Sequence, residues 1–472
     1  MNPQLNNDPV LTASPGATRE LASFAANLQF SDLPDAVVER LKTSLLDSLG
    51  CCLFGSTLPW TRKVAALVME EGAKPVASLW GMGRSSSLSG AVLVNATAGH
   101  AFELDDIHKE SILHAGSIAT PVALAFAEKS ATESGQAILT AMAAGYEVGV
   151  RVGNAATMDL FFRGFHPQGT SGVFVAAASA SRMLGLDASQ TQHALGIAGS
   201  QAGGLMAAQE GAMVKRFHGG RAAQSGVYSA LLAQRGFTGI EDVIEAPYGG
   251  YLSTYSGKPN PSRLLDGLGR QWETAKVGYK PHACVTSIHC ALDALAYLMR
   301  THQVNPDQIK QIDVGVSQMT YTHCAWIYKA QGVTAAQMNL FYGLAVTALD
   351  GMAFVAQYSE DRIGREDIFK FIEKITAKVD PEIDAMGPAF RHAARVTVTL
   401  ADGQRLFHEI QHRRGSPDNP LTHEDVVHKF RHVVGSVIPD DQTDEVIRLV
   451  QNVDTLKNVA PLLDLLKPAR HP

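Results

Sequence analysis

The segment His100–Pro121, HAFELDDIHKESILHAGSIATP, constrains the fold more than any other stretch of the chain. It gathers Glu103, Asp105, Asp106, His108, Lys109, Glu110 and His114 between two apolar, small-residue flanks, SGAVLVNATAG and ALAFAEKSATESGQAILTAMAAGYEVG. Both flanks read as helices that approach one another closely. Acids and imidazoles held between buried helices cannot all reach water, so some must pair inside the protein or face a cavity. The segment is therefore expected to line an active site, with cations brought to it from elsewhere in the chain.

From about Thr18 to Arg235 the pattern is almost wholly helical, and GTSGVFVAAASASRMLGLD and ASQTQHALGIAGSQAGGLMAAQEGA are rich enough in Ala, Gly and Ser for tight packing. A short strand is expected at Ala77–Trp80. Beyond Gly250 the texture changes. KPNPSRLLDGLGRQW reads as a connection, IKQIDVGVSQ alternates as a half-buried strand, and AARVTVTL-ADG-QRLFHEIQ is a hairpin turning at Asp402-Gly403. AAQMNLFYGLAVTALDGMAFVAQ and EDIFKFIEKITAKV read as helices between these strands. LTHEDVVHKFRHVVG, TDEVIRLVQNV and APLLDLLK then return to helix. The expected architecture is mainly α: a large all-helical domain (10–270 plus 414–472) interrupted by a smaller α+β lid domain (271–413). No repeat period of 20–50 residues is visible, which argues against a solenoid.

The 472-residue chain is 46% hydrophobic, ample for a large core, and its net charge of −6 argues against a broad nucleic-acid footprint, which would need a basic face. No run of about 18 apolar residues suggests a membrane span. The polar start, MNPQLNNDPVLTASPGATRE, lacks a signal-peptide layout and reads as a loose arm. Five cysteines without metal-type spacing suit a reducing compartment, so a cytoplasmic location is expected.

Four further places carry chemistry. RGFHPQGTSG sets His166 in a loop just before a helix, where backbone N–H groups attract anions. GAMVKRFHGGRAA opens a helix with Lys215, Arg216, His218 and Arg221; YKPHACVTSIH offers Lys280, His282 and His289; and Tyr342 lies on an apolar helix. Taken singly, each has a structural reading: Asp105-Asp106 as a helix cap, Tyr342 as a core tyrosine, a lone His or Lys as a helix-end charge. Together, cations in Gly-rich turns within an acidic chain form what a small polyanion's site requires. Asp105, Asp106, His108, Glu110 and His114 could ligate a metal, but the His-Glu-x-x-His spacing is absent and neighbouring lysines would repel a divalent ion. No Gly-x-Ser-x-Gly elbow, Walker loop or Gly-x-Gly-x-x-Gly fingerprint appears.

FELDDIHKESILHAGSIATP, RGFHPQGTSGV, GAMVKRFHGG, YKPHAC and AQMNLFYGLA resemble the successive motifs of the MmgE/PrpD (2-methylcitrate dehydratase) superfamily, and within it those of the fungal cis-aconitate decarboxylase type. The likeness extends from about Leu21 to Leu466. It implies a helical domain with an inserted lid, a homodimer, a cleft between the two domains, and neither metal nor organic cofactor. Carried over motif by motif, it implies His114, His166, Lys215, Lys280 and Tyr342 as catalytic residues, with Glu103, Asp105, Asp106 and His218 binding substrate. The chain departs from many relatives at Glu103 (for Asp), at Ile107 (for Thr), and at Ala283 and Val285 in the lid motif.

The superfamily's reactions are dehydration, decarboxylation and epimerisation of small di- and tricarboxylic acids. Each gains from cations beside a carboxylate next to developing carbanion charge. Lys215 and Lys280 are expected to grip substrate carboxylates; one such pair at 4 Å is worth about 4 kcal/mol at an effective dielectric of 20. His114, with a carboxylate beside it, is the expected proton donor, with His166 orienting the substrate and Tyr342 donating from the lid. The expected activity is a cofactor-independent decarboxylation of cis-aconitate to itaconate. The alternatives are a 2-methylcitrate-type dehydratase or dicarboxylate epimerase on the same scaffold, and a non-catalytic anion-binding protein.

Overall fold

The computed structural model describes residues 16–131 and 133–467. Most of the expected N-terminal arm lies outside the described residues. The chain is mainly α. Helices Ala17–Asn27, Asp35–Ser56, Leu88–Gly99, Gly116–Ser130, Gly135–Phe162, Gly172–Met183, Ala188–Gly199 and Val214–Gln234 pack around one core. Leu88–Gly99 is buried along its whole length, which explains its lack of a polar face. Small residues bring the backbones together. A Cβ on Gly226 would lie 2.3 Å from the Ala176 side chain and 2.5 Å from the Ala177 nitrogen, so the helix Val214–Gln234 can lie against Gly172–Met183 only with glycine there. Gly135–Phe162 is interrupted at Thr157, where φ is 59°.

Ala77–Leu79 forms the expected short strand and pairs with Arg84–Ser86. The connection after Gly250 is pinned by a buried pair on helix Gly135–Phe162. Arg151 donates to the carbonyls of Asp266 (2.8 Å) and Gln271 (2.7 Å), while Glu147 accepts from the amides of Glu273 (3.1 Å) and Thr274 (2.8 Å).

A four-stranded sheet follows, in the order Ile375–Val379, Ile309–Val316, Ala394–Leu400, Arg405–Ile410. The first pair is parallel and the others antiparallel. Ala394, Val396, Val398 and Leu400 alternate inward, and the expected hairpin turns at Asp402-Gly403. Helix His289–Thr301 covers the hairpin strands, and Leu340–Asp350 lies against that helix. The expected helix over EDIFKFIEKITAKV is corrected: it ends at Ile372, and Ile375–Val379 is a strand. Ile375, Thr376 and Val379 are β-branched and fit a pleated surface beside Ile309–Val316, which outweighs the helical pattern before them. The longer expected helix around Tyr342 is likewise shortened to Leu340–Asp350, starting at the Asn339 cap and stopping at Gly351, where φ is 78°.

His423–Val434 returns to pack against Asp35–Ser56, and Lys429 there pairs with Asp47 at 2.7 Å. No helix among the described residues is long and apolar enough to cross a membrane.

Candidate active site

The segment singled out by sequence is held on both sides. Ile107–His108 forms a two-residue antiparallel ladder with Val277–Gly278, so Lys280, two residues further on, is brought beside Glu103. Gly116 opens the following helix. Its amide donates to both Asp106 oxygens (3.0 and 3.2 Å), and a Cβ there would collide with Ser48 Oγ, the Tyr146 hydroxyl and Asp106. Around these anchors the chain is strained. Glu103 (φ 40°) and Ile112 (φ 52°) occupy the left-handed region without being glycine, a cost of about 1–3 kcal/mol each that clusters at functional sites.

Glu103 is the hub. Its carboxylate takes Lys215 on Oε1, Arg216 on the same oxygen at 2.8 Å, and Lys280 on Oε2 at 2.8 Å. All four side chains are buried. Burial alone would raise the Glu103 pKa, but Lys215, Lys280 and Arg216 outweigh it and hold the carboxylate well below its ordinary range. The Lys215 ammonium is pulled down to about 8, first by burial and then by Arg216 and Lys280, although Glu103 acts the other way. It is therefore still charged at neutral pH. Three cations against one carboxylate leave two positive charges in excess (3 − 1 = 2). Arg216 is further fixed by Gln337, which accepts from it at 3.0 Å and donates to the Ala283 carbonyl at 2.9 Å.

Beside this hub lie the imidazoles. Asp105 bonds His100 Nδ1 at 2.7 Å through one oxygen, and its other oxygen is 3.3 Å from His114 Nδ1 without hydrogen-bond alignment. Burial opposes the Asp105 charge, yet His114 and His100 hold its pKa well below the usual value. Burial also drives His100 down to about 4, so its imidazole is neutral near pH 7. The His114 backbone is clamped by Gln168, which accepts from its N–H (3.0 Å) and donates to its carbonyl (3.1 Å). His166 caps the short helix Pro167–Thr170, as the Gly/Pro-marked loop predicts, and its Nδ1 lies 2.8 Å from His218 Nδ1. Burial and the neighbouring His100 and Lys215 hold His166 well below the imidazole range, so it too is neutral.

Glu103, His114, His166 and Lys215 line one cavity of about 80 Å³. Five expected residues do not line it: Asp105 and His218 stand beside His114 and His166, and the other three lie elsewhere. Lys280 sits behind Glu103 and does not line the cavity. Asp106 is turned away: it accepts from Gly116 and from the Tyr146 hydroxyl at 2.5 Å, and burial pushes it up to about 8, so it is a protonated structural group at neutral pH. Tyr342 does not reach the cavity either; its hydroxyl donates to the Gln357 carbonyl and its ring packs between Tyr328 and Tyr358. Its buried position on the apolar helix is the core-tyrosine reading of that residue.

Residues 19–263 match the MmgE/PrpD N-terminal domain and residues 282–455 the MmgE/PrpD C-terminal domain. The chain belongs to the MmgE/PrpD family. This MmgE/PrpD protein is 33% identical over 481 residues to the cis-aconitate decarboxylase of Aspergillus terreus, covering 98% of each chain. It is 32% identical over 478 residues to the cis-aconitate decarboxylase-like protein oryM of Aspergillus oryzae, covering 96% of this chain and 98% of the relative. It is 28% identical over 464 residues to the cis-aconitate decarboxylase of Homo sapiens, covering 95% and 94%.

Sequence reasoning missed several members of this MmgE/PrpD site. His100 stands at the head of the acidic segment, but no spacing rule marks it as Asp105's partner. Arg216 was visible only as one of several basic residues at a helix start, not as a second grip on Glu103. Gln168 carries no charge and gives no signal in sequence. His100, Asp105 and His114 offer ligand atoms within 4.8 Å of one another, which is metal-compatible spacing. The cationic hub adjoins them: Lys215 acts on His100 as a like charge, and that field opposes a divalent ion.

Proposed function

We propose that the protein is a cofactor-independent carbon–carbon lyase that converts cis-aconitate to itaconate and CO2. One observation carries this reading: a small cavity walled by a surplus-positive hub and two imidazoles, in a chain alignable end to end with proteins named cis-aconitate decarboxylase. The hub's excess charge suits a carboxylate, and exclusion of water strengthens that attraction. Loss of CO2 from the CH2-carboxylate arm leaves an allylic carbanion, its charge shared between two carbons and stabilised by Lys215. A proton delivered to the far carbon moves the double bond and gives itaconate. The trianion plus one proton yields the dianion plus CO2, so charge and atoms balance.

His114 is the proton donor in this scheme, because it lines the cavity, has Asp105 behind it and is held by Gln168. His166, neutral and backed by His218, accepts or donates a hydrogen bond to orient the acid. Lys280 and Arg216 act through Glu103, holding it and keeping the hub positive. The part from 271 to 413 serves as a lid over the cavity, to which it contributes Val285, Thr286 and Ser287. The working form is a homodimer in the cytoplasm. The five buried free cysteines suit that compartment, and light scattering on purified protein tests the assembly.

The deciding experiment is incubation of purified protein with cis-aconitate, followed by NMR for itaconate and by CO2 release. Formation of both supports the reading. No product from cis-aconitate, with double-bond absorbance appearing from 2-methylcitrate instead, overturns it in favour of a dehydratase.

A further inference from the structure

The same cavity is lined by a second basic group that the proposed chemistry does not use. The cations Lys109 and Arg391 line the cavity together with Glu103 and Lys215, and so does His392, which burial and the neighbouring Arg391 hold well below the imidazole range, so its ring is neutral. Lys109 and Arg391 also line an outer recess of about 480 Å³, so they stand between the interior and the surface. Their partners are carbonyls. Arg391 donates from Nη2 to the Lys109 carbonyl at 2.5 Å and from Nη1 to the Pro388 carbonyl at 3.4 Å, and Lys109 donates to the Ala389 carbonyl. The buried Arg413 guanidinium beside them donates, among the described residues, only to the Tyr279 carbonyl, at 3.4 Å.

No carboxylate among the described residues forms an ion pair with Lys109, Arg391 or Arg413; Glu110, Asp293 and Asp418 act on them only at longer range. Arg391 Nε, His392 Nδ1, and Arg413 Nε and Nη2 are buried without a hydrogen-bond partner among the described residues. His392 is 5% exposed. Buried guanidinium groups are normally matched by acids or fully hydrogen-bonded, because unsatisfied donors and unpaired charge are costly inside a protein. The cost shows in the groups themselves. Burial and neighbouring cations bring Lys109 down to about 8, and burial brings Arg391 and Arg413 down to about 10. The hub around Glu103 already carries its own carboxylate; this cluster carries none.

We infer that Lys109, Arg391 and His392 form a second carboxylate subsite at the mouth of the cavity, so that the protein selects acids bearing at least two carboxylates and fixes which one faces His114. The inference rests on the proposed function for the reaction, but not for the binding. An acid spanning both clusters places one carboxylate against Lys215 and another against Arg391, a fork suited to bidentate contact. A monocarboxylate engages one cluster only and leaves the other unmatched.

The test is calorimetric titration with three unreactive acids, tricarballylate, glutarate and butyrate, on the wild type, Arg391→Gln and Lys109→Gln, alongside cis-aconitate turnover. The expected order in the wild type is tricarballylate, then glutarate, then butyrate. Each variant should weaken tricarballylate by about tenfold to a hundredfold, as loss of a charge-assisted contact implies, while changing butyrate less than threefold. Lys109 is only half-buried, so its variant carries the test if Arg391→Gln fails to fold. Tricarballylate bound within twofold of wild type by the folded variants, or no binding by the wild type, overturns the subsite. Normal turnover of cis-aconitate with unchanged variants sinks the subsite alone. Arg391-dependent binding without any turnover sinks the decarboxylase reading alone.

Discussion

Replacing Glu103 by Gln removes one charge and leaves the shape of the side chain. In the native protein that carboxylate is 4% exposed and answers three cations, with Arg216 and Lys280 both at 2.8 Å. One pair at about 4 Å is worth about 4 kcal/mol at an effective dielectric of 20, but much of this offsets the cost of burying the ions. The measurable quantity is the loss when one partner of a buried ion pair is removed and the others stay charged, about 3–5 kcal/mol. Glu103→Gln should therefore destabilise by about that amount at pH 7, read from urea unfolding by circular dichroism. The pH dependence has a definite sign. The folded-state pKa of Glu103 is depressed, so its contribution is complete above the unfolded value of about 4.3 and fades only as pH falls toward the lowered folded value. The titration of Glu103 itself should narrow the gap only below about pH 4, whereas from pH 8 toward 5 the gap should widen, because Lys215 loses in the variant the support that Glu103 gives it. Adding Lys215→Met to Glu103→Gln removes one stranded cation and should recover about 0.5–3 kcal/mol, the coupling expected for contacting groups. A loss under about 1 kcal/mol in the single variant, or strict additivity in the double, would show that the cations do not depend on Glu103.

His114→Ala should lower turnover of cis-aconitate by about a hundredfold or more, the range for loss of a positioned acid, with an unchanged unfolding midpoint; ordinary turnover would remove His114 from the mechanism. Asp106, raised to about 8, stabilises the fold fully below its unfolded pKa of about 3.9 and loses that contribution as pH rises through 8. Asp106→Asn should therefore gain on the wild type as pH goes from 4 to 8.5 in urea unfolding, and a pH-independent difference would show that Asp106 is ionised. Dialysis against EDTA should leave activity intact, because Lys215 opposes a cation near His100, Asp105 and His114; loss of activity restored by a divalent ion would place a metal on those three.

What was legible in the sequence follows from how local each signal is. The small-residue helices, the Asp402-Gly403 hairpin and the alternating strand at Ile309–Val316 are each written in adjacent residues, and the mainly α architecture follows from them. The strand Ile375–Val379 was read as helix because its neighbour in the sheet lies some sixty residues earlier, at Ile312 paired with Ile375. At the site, residue types were legible and their partners were not. Acids and imidazoles between buried helices had to be paired or cavity-facing, and both outcomes occur: Glu103 is paired and His114 faces the cavity. Nothing local separates Asp105, which backs His114, from Asp106, which is one residue on and bonded to Tyr146. Adjacent residues on an irregular chain point in different directions, and the Asp106 direction is set by the Gly116 amide and a tyrosine forty positions away. The same reasoning explains Lys280. Sequence placed it near a domain junction, but the ladder between Ile107–His108 and Val277–Gly278 decides that it meets Glu103 from behind, where it sets the charge of the hub instead of lining the cavity.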